Sequence, residues 1–172
     1  MGMFVKLGGA VNVLGGREEF RFQTTAEALD AMPENATLEG EIFVSGFLMN
    51  TGQTLRVEGT VRVLRSFVCD RCLGRFSSPQ EYSFAEDLAR QSDGEALADG
   101  AIGVVEDAVD VGPLVRDTIL TAQPLRNLCR PDCRGLCPRC GADLNQGDCG
   151  CDRRSIDPRL ADLQKLLTTE DG

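Results

Sequence analysis

Leu55-Arg56-Val57-Glu58-Gly59-Thr60-Val61-Arg62-Val63-Leu64-Arg65-Ser66-Phe67-Val68-Cys69-Asp70-Arg71-Cys72 is the stretch that decides the fold. Leu55, Val57, Val61, Val63 and Phe67 alternate with Arg56, Glu58, Thr60 and Arg62, the period of a strand with one apolar and one wet face. Upstream, Ile42 and Val44 mark a partner arm, and Asn50-Thr51-Gly52-Gln53 has the composition of a reversing turn. Residues 38–67 are therefore expected to form a β-hairpin. Glu81-Tyr82-Ser83-Phe84 reads as a further strand, which leaves Cys69 and Cys72 on the turn between two strands.

Beyond the hairpin, Asp110 is expected to cap a helix near 111–123, with Leu114, Val115, Thr118 and Ile119 as its buried stripe and Pro124 as its stop. Asp157-Pro158 has the signature of a second helix start, followed by Leu160, Leu163, Leu166 and Leu167. Residues 91–103, rich in Asp, Gly and Ala, have no sustained period and read as an acidic connector. The expected fold class is α+β: an antiparallel sheet centred on 38–88, a packed helix and a C-terminal zinc-ribbon-like segment. Residues 1–128 form the β-rich core in this reading, and 129–172 a cysteine-rich segment packed on it.

The 172 residues suit one domain with a small metal-stabilised appendage. Aromatic residues make up 5% of the chain, so the core must be aliphatic and modest, and such a core benefits from a staple. No signal-peptide pattern and no apolar run of membrane-spanning length occur, so a cytoplasmic location is expected, with no membrane partner. In that compartment thiols stay reduced, and eight cysteines at short spacings point to metal before disulfides.

Those cysteines stand at 69, 72, 129, 133, 137, 140, 149 and 151, and the chain has no histidine. Two closed sites of four sulfurs each are the natural solution, and zinc, as two ions because eight ligands divide into two sets, is the expected metal. Cys137, Cys140, Cys149 and Cys151 lie close enough in sequence to share one ion. Cys69 and Cys72 then take Cys129 and Cys133, which ties the hairpin to the chain after the helix. Eight inert thiols in polar loops rich in Gly and Pro are a poor alternative.

Catalysis finds little support. Four sulfurs leave no open position for a polarised water, and without histidine no side chain titrates near neutrality unperturbed. Cys133-x-x-x-Cys137-x-x-Cys140 has the spacing of a radical-enzyme iron–sulfur motif, but that motif opens a large α/β barrel, and here only about 30 residues follow. A thioredoxin-like role for Cys69 and Cys72 would need a helix N-terminus that the flanking strands do not provide. No enzymatic activity and no small-molecule substrate are expected.

The formal charge of −9 argues against nonspecific binding to nucleic acid. Its distribution is uneven. Residues 81–110 carry nine acids against Arg90 alone, a net of −8, whereas 56–76 carry five arginines against two acids and 126–159 seven arginines against five aspartates. Arg62, Arg65, Arg71, Arg75, Arg130, Arg134 and Arg139 are candidate contacts to RNA phosphates. The plainer alternative is that they balance the formal −2 of each four-sulfur zinc centre.

Val68-Cys69-Asp70-Arg71-Cys72-Leu73, the run from Leu128 through Cys129, Pro131, Cys133, Gly135, Cys137, Pro138, Cys140 and Gly141 to Asn145, then Asp148-Cys149-Gly150-Cys151 and Asp157-Pro158-Arg159-Leu160-Ala161 together resemble the bacterial YceD family. The resemblance spans most of the chain, including Arg21-Phe22. It implies a non-enzymatic role in the accumulation of large-subunit ribosomal RNA, with that RNA or a pre-ribosomal particle as partner. It also implies that zinc serves the fold, because relatives with fewer of these cysteines look like members. Two alternatives remain at this level: an adapter docking a basic ribosomal protein through 81–110, and a redox or iron–sulfur protein.

Overall fold

The computed structural model describes residues 2–31, 37–89, 104–105 and 107–152. Its centre is the hairpin, with longer arms than the alternation alone marks out: β3 is Thr37–Asn50 and β4 is Thr54–Val68. Asn50 holds the turn from inside, its side-chain amide donating to the Val11 carbonyl at 2.8 Å while its Oδ1 accepts the Gly52 N–H at 2.8 Å. The strand expected at 81–84 is the middle of β5, Arg75–Ala89, which pairs with β4 along its whole length from Thr54↔Ala89 to Val68↔Arg75.

A fourth strand, β2 (Arg17–Thr24), lies on the other side of β3 and completes an antiparallel sheet of order β2-β3-β4-β5. Its sequence gives only Phe20 and Phe22 as alternating apolar residues, too short a pattern to stand out. The N-terminal strand β1 (Phe4–Lys6) joins β7 (Ala108–Asp110) and β6 (Val104–Val105) in a second, three-stranded antiparallel sheet. With α1 (Ala26–Leu29) and α2 (Gly112–Thr121), this makes the chain α+β.

Asp110 does not cap α2 as the sequence suggested. It belongs to β7, and Val111 is the N-cap residue. The Asp110 carboxylate nevertheless accepts the Gly112 N–H at 2.9 Å and the Met3 N–H at 3.0 Å, so one side chain ties the helix start to the N-terminal strand. The helix ends at Thr121, short of Pro124. The expected stripe 160–167 and the connector 91–103 lie outside the described residues. Among those described, no helix is long and apolar enough to cross a membrane.

One face of the large sheet is covered. Ile42, Val44 and Leu48 of β3 and Leu55, Val57, Val61 and Val63 of β4 pack with Val115 and Ile119 of α2, Val5 and Val109 of the small sheet, and Leu29 of α1. Across its middle, Phe20, Gly46, Gly59 and Phe84 lie in one row by register. A Cβ added at Gly59 would sit 2.5 Å from Phe84 Cζ and 2.7 Å from the Ser45 carbonyl oxygen, and one at Gly46 would sit 2.7 Å from Phe20 Cζ. The missing side chains are thus the space the two rings occupy. Gly59→Ala is expected to cost about 2–3 kcal/mol, because both neighbours are fixed by the sheet; urea denaturation measures it.

Candidate metal centres

β4 delivers Cys69 fully buried at the end of the sheet, and the chain then reverses through Cys72 into β5. The reversal is closed by two backbone bonds: the Leu73 N–H donates to the Cys69 carbonyl at 2.9 Å, and the Cys69 N–H to the Gly74 carbonyl at 2.9 Å. The same turn recurs 68 residues later, where the Gly141 N–H donates to the Cys137 carbonyl at 2.9 Å and the Cys137 N–H to the Ala142 carbonyl at 2.8 Å. Both turns need a left-handed residue just after the second cysteine. Gly141 supplies it at φ 72°, and Leu73 occupies the equivalent place at φ 58°. A non-glycine residue accepts this conformation at a cost, so the turn is held by what surrounds it.

The eight thiols gather in two groups. Cys69, Cys72, Cys129 and Cys133 form one and Cys137, Cys140, Cys149 and Cys151 the other, the sulfurs of each lying within 4.8 Å of one another. Cys69 Sγ is 3.8 Å from Cys133 Sγ, and Cys72 Sγ is 3.7 Å from Cys129 Sγ. A tetrahedron of sulfurs about 2.3 Å from a central zinc has edges of about 3.8 Å, so the first group fits that ion. These are the sets that the spacing suggested, and either could hold a metal ion.

Donors surround the sulfurs. Backbone N–H groups of Cys129, Cys72 and Arg71 hold the Cys69 thiol down to about 6 from an ordinary value of 9.0. Those of Cys140 and Arg139 bring Cys137 to about 6 as well. Desolvation and the neighbouring Cys133 thiol push Cys129 up to about 12, and Cys140 and Cys149 do the same to Cys151. Each group therefore pairs a thiol that ionises readily with one that resists, as expected where several thiols crowd about one point and the first to ionise disfavours the next.

The sign of the pH dependence follows. A thiol lowered in the folded state contributes stability above its ordinary value, and that contribution disappears as pH falls through the lowered one. Metal binding also requires thiolates. Zinc affinity is therefore expected to weaken as pH falls, already between about 9 and 6 because Cys129 and Cys151 hold their protons up to about 12, and more steeply below about 6, where Cys69 and Cys137 take up theirs. Competition with a chromogenic chelator across that range would measure it.

The two groups are wired together. Arg71 donates from Nη1 to the Cys133 carbonyl at 2.6 Å, and the Leu136 N–H donates to the Arg71 carbonyl at 3.0 Å. Asn145, between the two pairs of the second group, donates its amide to Cys133 Sγ of the first at 3.5 Å. Its Oδ1 accepts from the Arg134 N–H at 2.8 Å and from Arg130 Nη2 at 2.7 Å. The sequence places Asn145 at the start of a reversing turn, Asn145-Gln146-Gly147-Asp148, between the two pairs, but gives no sign that its side chain reaches the first group.

The candidate arginines separate. Arg71, Arg75, Arg130, Arg134 and Arg139 are exposed on the cysteine-bearing turns and the strand leaving them, and Arg75, Arg134 and Arg139 have no ion pair among the described residues. Arg62 lies on the open face of the sheet, paired with Glu81 at 2.6 Å. Arg65 corrects the expectation: its side chain is 0% exposed and presents nothing to a phosphate. Its guanidinium turns inward to Tyr82 Oη at 2.8 Å, the Ala122 carbonyl at 3.0 Å and Gln123 Oε1 at 3.1 Å. Of the acids in 81–110, Glu81 and Asp87 are engaged with Arg62 and Arg56 on the sheet.

An uncharacterized protein of Mycobacterium tuberculosis is 30% identical over 145 residues, covering 83% of this chain and 68% of its own. The uncharacterized protein YlbN of Bacillus subtilis is 25% identical over 161 residues, covering 90% of this chain and 92% of its own. The Arabidopsis thaliana protein called large ribosomal RNA subunit accumulation protein YCED homolog 1, chloroplastic, is 24% identical, covering 75% of this chain and 50% of its own. No solved structure matches. The family model described as large ribosomal RNA subunit accumulation protein YceD matches residues 57–167, which takes in both cysteine groups, and the chain belongs to that family.

Proposed function

We propose that this protein is a non-enzymatic factor, held in shape by two zinc ions, that supports the synthesis, processing or stability of large-subunit ribosomal RNA during ribosome assembly. The observation that carries the reading is the pair of four-sulfur groups within the matched region, with exposed arginines on the same turns. Four sulfurs complete a tetrahedral zinc shell, so the ion would act as a cross-link and not as a Lewis acid. The second group, on a turn closed like that of a zinc knuckle, supports a ribbon-like C-terminal segment. Because the first group draws ligands from both sides of the 128/129 boundary, the cysteine-rich segment and the β-rich core would fold as one unit.

In this reading Arg71, Arg75, Arg130, Arg134 and Arg139 face RNA phosphates. Arg75, Arg134 and Arg139 give the cleanest test, because removing them disturbs no ion pair among the described residues. Reversing all three to glutamate is expected to weaken binding to a large-subunit rRNA fragment by on the order of tenfold or more and to reduce the salt slope by about 2–3. Fluorescence anisotropy at several salt concentrations reads both. Unchanged affinity and slope would remove the direct-contact reading. Co-sedimentation with pre-ribosomal particles that survives ribonuclease would favour a ribosomal protein as the partner. Metal analysis is expected to give two zincs per chain with no visible absorption, and visible bands would reinstate an iron–sulfur protein.

A further inference from the structure

Two hollows lie along β4. The smaller, a pocket of about 220 Å³ between residues 124–128 and the ends of β4 and β5, offers little apolar surface and is walled by Ser78, Gln80, Arg126 and Asn127 beside Phe76. The larger lies at a break in register. Glu39 is opposite Leu64 and Phe43 opposite Arg62, so Gly40, Glu41 and Ile42 of β3 face the single residue Val63 of β4. Gly40 takes up the extra chain at φ 70°, with open space where a side chain would stand, so the bend itself calls for glycine. Against this bulge lies a groove of about 600 Å³. Most of its lining residues point, by strand alternation, to the open face of the sheet, away from the core.

The groove is apolar inside and acidic at its rim. Phe43, Leu64 and Pro79 line it, with Phe43 51% and Leu64 39% exposed. Elsewhere on this face the fold covers its aromatic residue: Phe47 has the Arg17 guanidinium 3.4 Å from its ring centroid. Phe43 has no ring or cation over it among the described residues. Three open apolar side chains gathered in one groove mark a contact surface, where a single one would mean nothing. On the rim, Glu39, Glu41 and Glu81 stand against Arg62 alone, a net of −2. Arg62 is engaged with Glu81 at 2.6 Å, and the Ser77 hydroxyl donates to the Glu39 carboxylate at 3.0 and 3.1 Å. Glu41 is exposed and has no hydrogen bond or ion pair among the described residues. Such a rim repels a phosphate backbone and draws in a cationic side chain.

We propose that this groove docks an extended basic segment of another protein, with one bulky apolar side chain seated on Phe43, Leu64 and Pro79 and flanking lysines or arginines meeting Glu39 and Glu41. A buried apolar anchor within a charged rim is the common form of a small protein interface: the anchor carries most of the affinity, and the rim sets the encounter rate and the choice of partner. In an extended peptide, side chains two residues apart share a face, so cations close to the anchor in sequence fall on the rim. Their methylene stems add apolar cover. The proposal does not rest on the RNA-contact reading, because the groove accepts such a segment whether or not RNA occupies the cysteine-bearing turns.

The test uses the full-length, zinc-loaded protein. Selection from a phage-displayed library of random nonapeptides is expected to return sequences in which one large apolar residue has lysine or arginine within about two positions on either side. A fluorescent peptide of that consensus should lose about tenfold in affinity for the Phe43→Ser variant and about fivefold for Glu41→Lys. Glu19→Lys, the same charge change on the same sheet face away from the groove, should stay within about twofold. Circular dichroism and zinc content check that each variant is folded. Selection of acidic or uncharged peptides, or consensus binding unchanged in both groove variants, would overturn the proposal. A wild-type dimer that Phe43→Ser converts to monomer in sedimentation velocity would overturn it in favour of a second copy of this chain. A single-stranded RNA whose binding is lost in Phe43→Ser would overturn it in favour of nucleic acid.

Discussion

Cys69→Ser is expected to release one of two zinc equivalents and to lower the thermal unfolding midpoint by on the order of 10 °C, while Cys149→Ser also loses one equivalent but lowers it by under about half as much. The difference comes from what each group connects. Cys69 and Cys72 at the end of the hairpin share a group with Cys129 and Cys133, some 60 residues on and beyond α2. An ion held by that group would constrain the whole β5-to-α2 excursion in the unfolded chain, and cross-links across long loops restrict the unfolded ensemble most. Cys149 closes a loop of only about a dozen residues. Calorimetry with metal analysis on each variant checks the ranking, and equal destabilisation by the two would mean that the first group does not act as a long-range clasp.

Arg65→Ala is the second large effect. The substitution removes three inward hydrogen bonds, strands the Ala122 carbonyl and Tyr82 hydroxyl, and opens a cavity between β4, β5 and the end of α2. A cost of about 3–5 kcal/mol is expected from equilibrium denaturation. Arg65→Met gives the informative contrast. It fills much of the same volume without burying a charge, so its cost should be well below that of alanine. If methionine proves as damaging as alanine, then the hydrogen bonds to the helix end, and not the packed volume, are what matter at this position.

Arg65 also shows how far the sequence could be read. It stands between Val63 and Phe67 in the alternation that defines the apolar face of β4, and strand periodicity alone puts it inside. Charge suggested a surface contact, and charge was the weaker guide. What periodicity could not supply was the reason an arginine is tolerated there: Tyr82 on the neighbouring strand, the end of α2 at Ala122 and Gln123, and the ring of Phe67.

The N-terminal strands are a different case. β2 carries two apolar residues in eight, and β1 and β7 are three residues each, so their pairing depends on partners 18–32 residues away for β2 and more than 100 for β1 and β7, which no local pattern announces. The shared face of Ser78, Phe76 and Asn127 likewise exists only once β5 and the segment after α2 have met.

By itself, the sequence determined the hairpin, the turn at Asn50–Gln53, a helix near 111–123 and the division of eight cysteines into two sets. Those are consequences of short periods and short spacings, in which neighbours along the chain are also neighbours in space. Tertiary structure alone decided which groups receive the buried Arg65 guanidinium, that Asn145 reaches a sulfur of the other group, and that a pocket opens beside the first cysteine turn. Each of those depends on register between strands and on the closing of long loops, where the geometry is fixed by packing that the local chain does not encode.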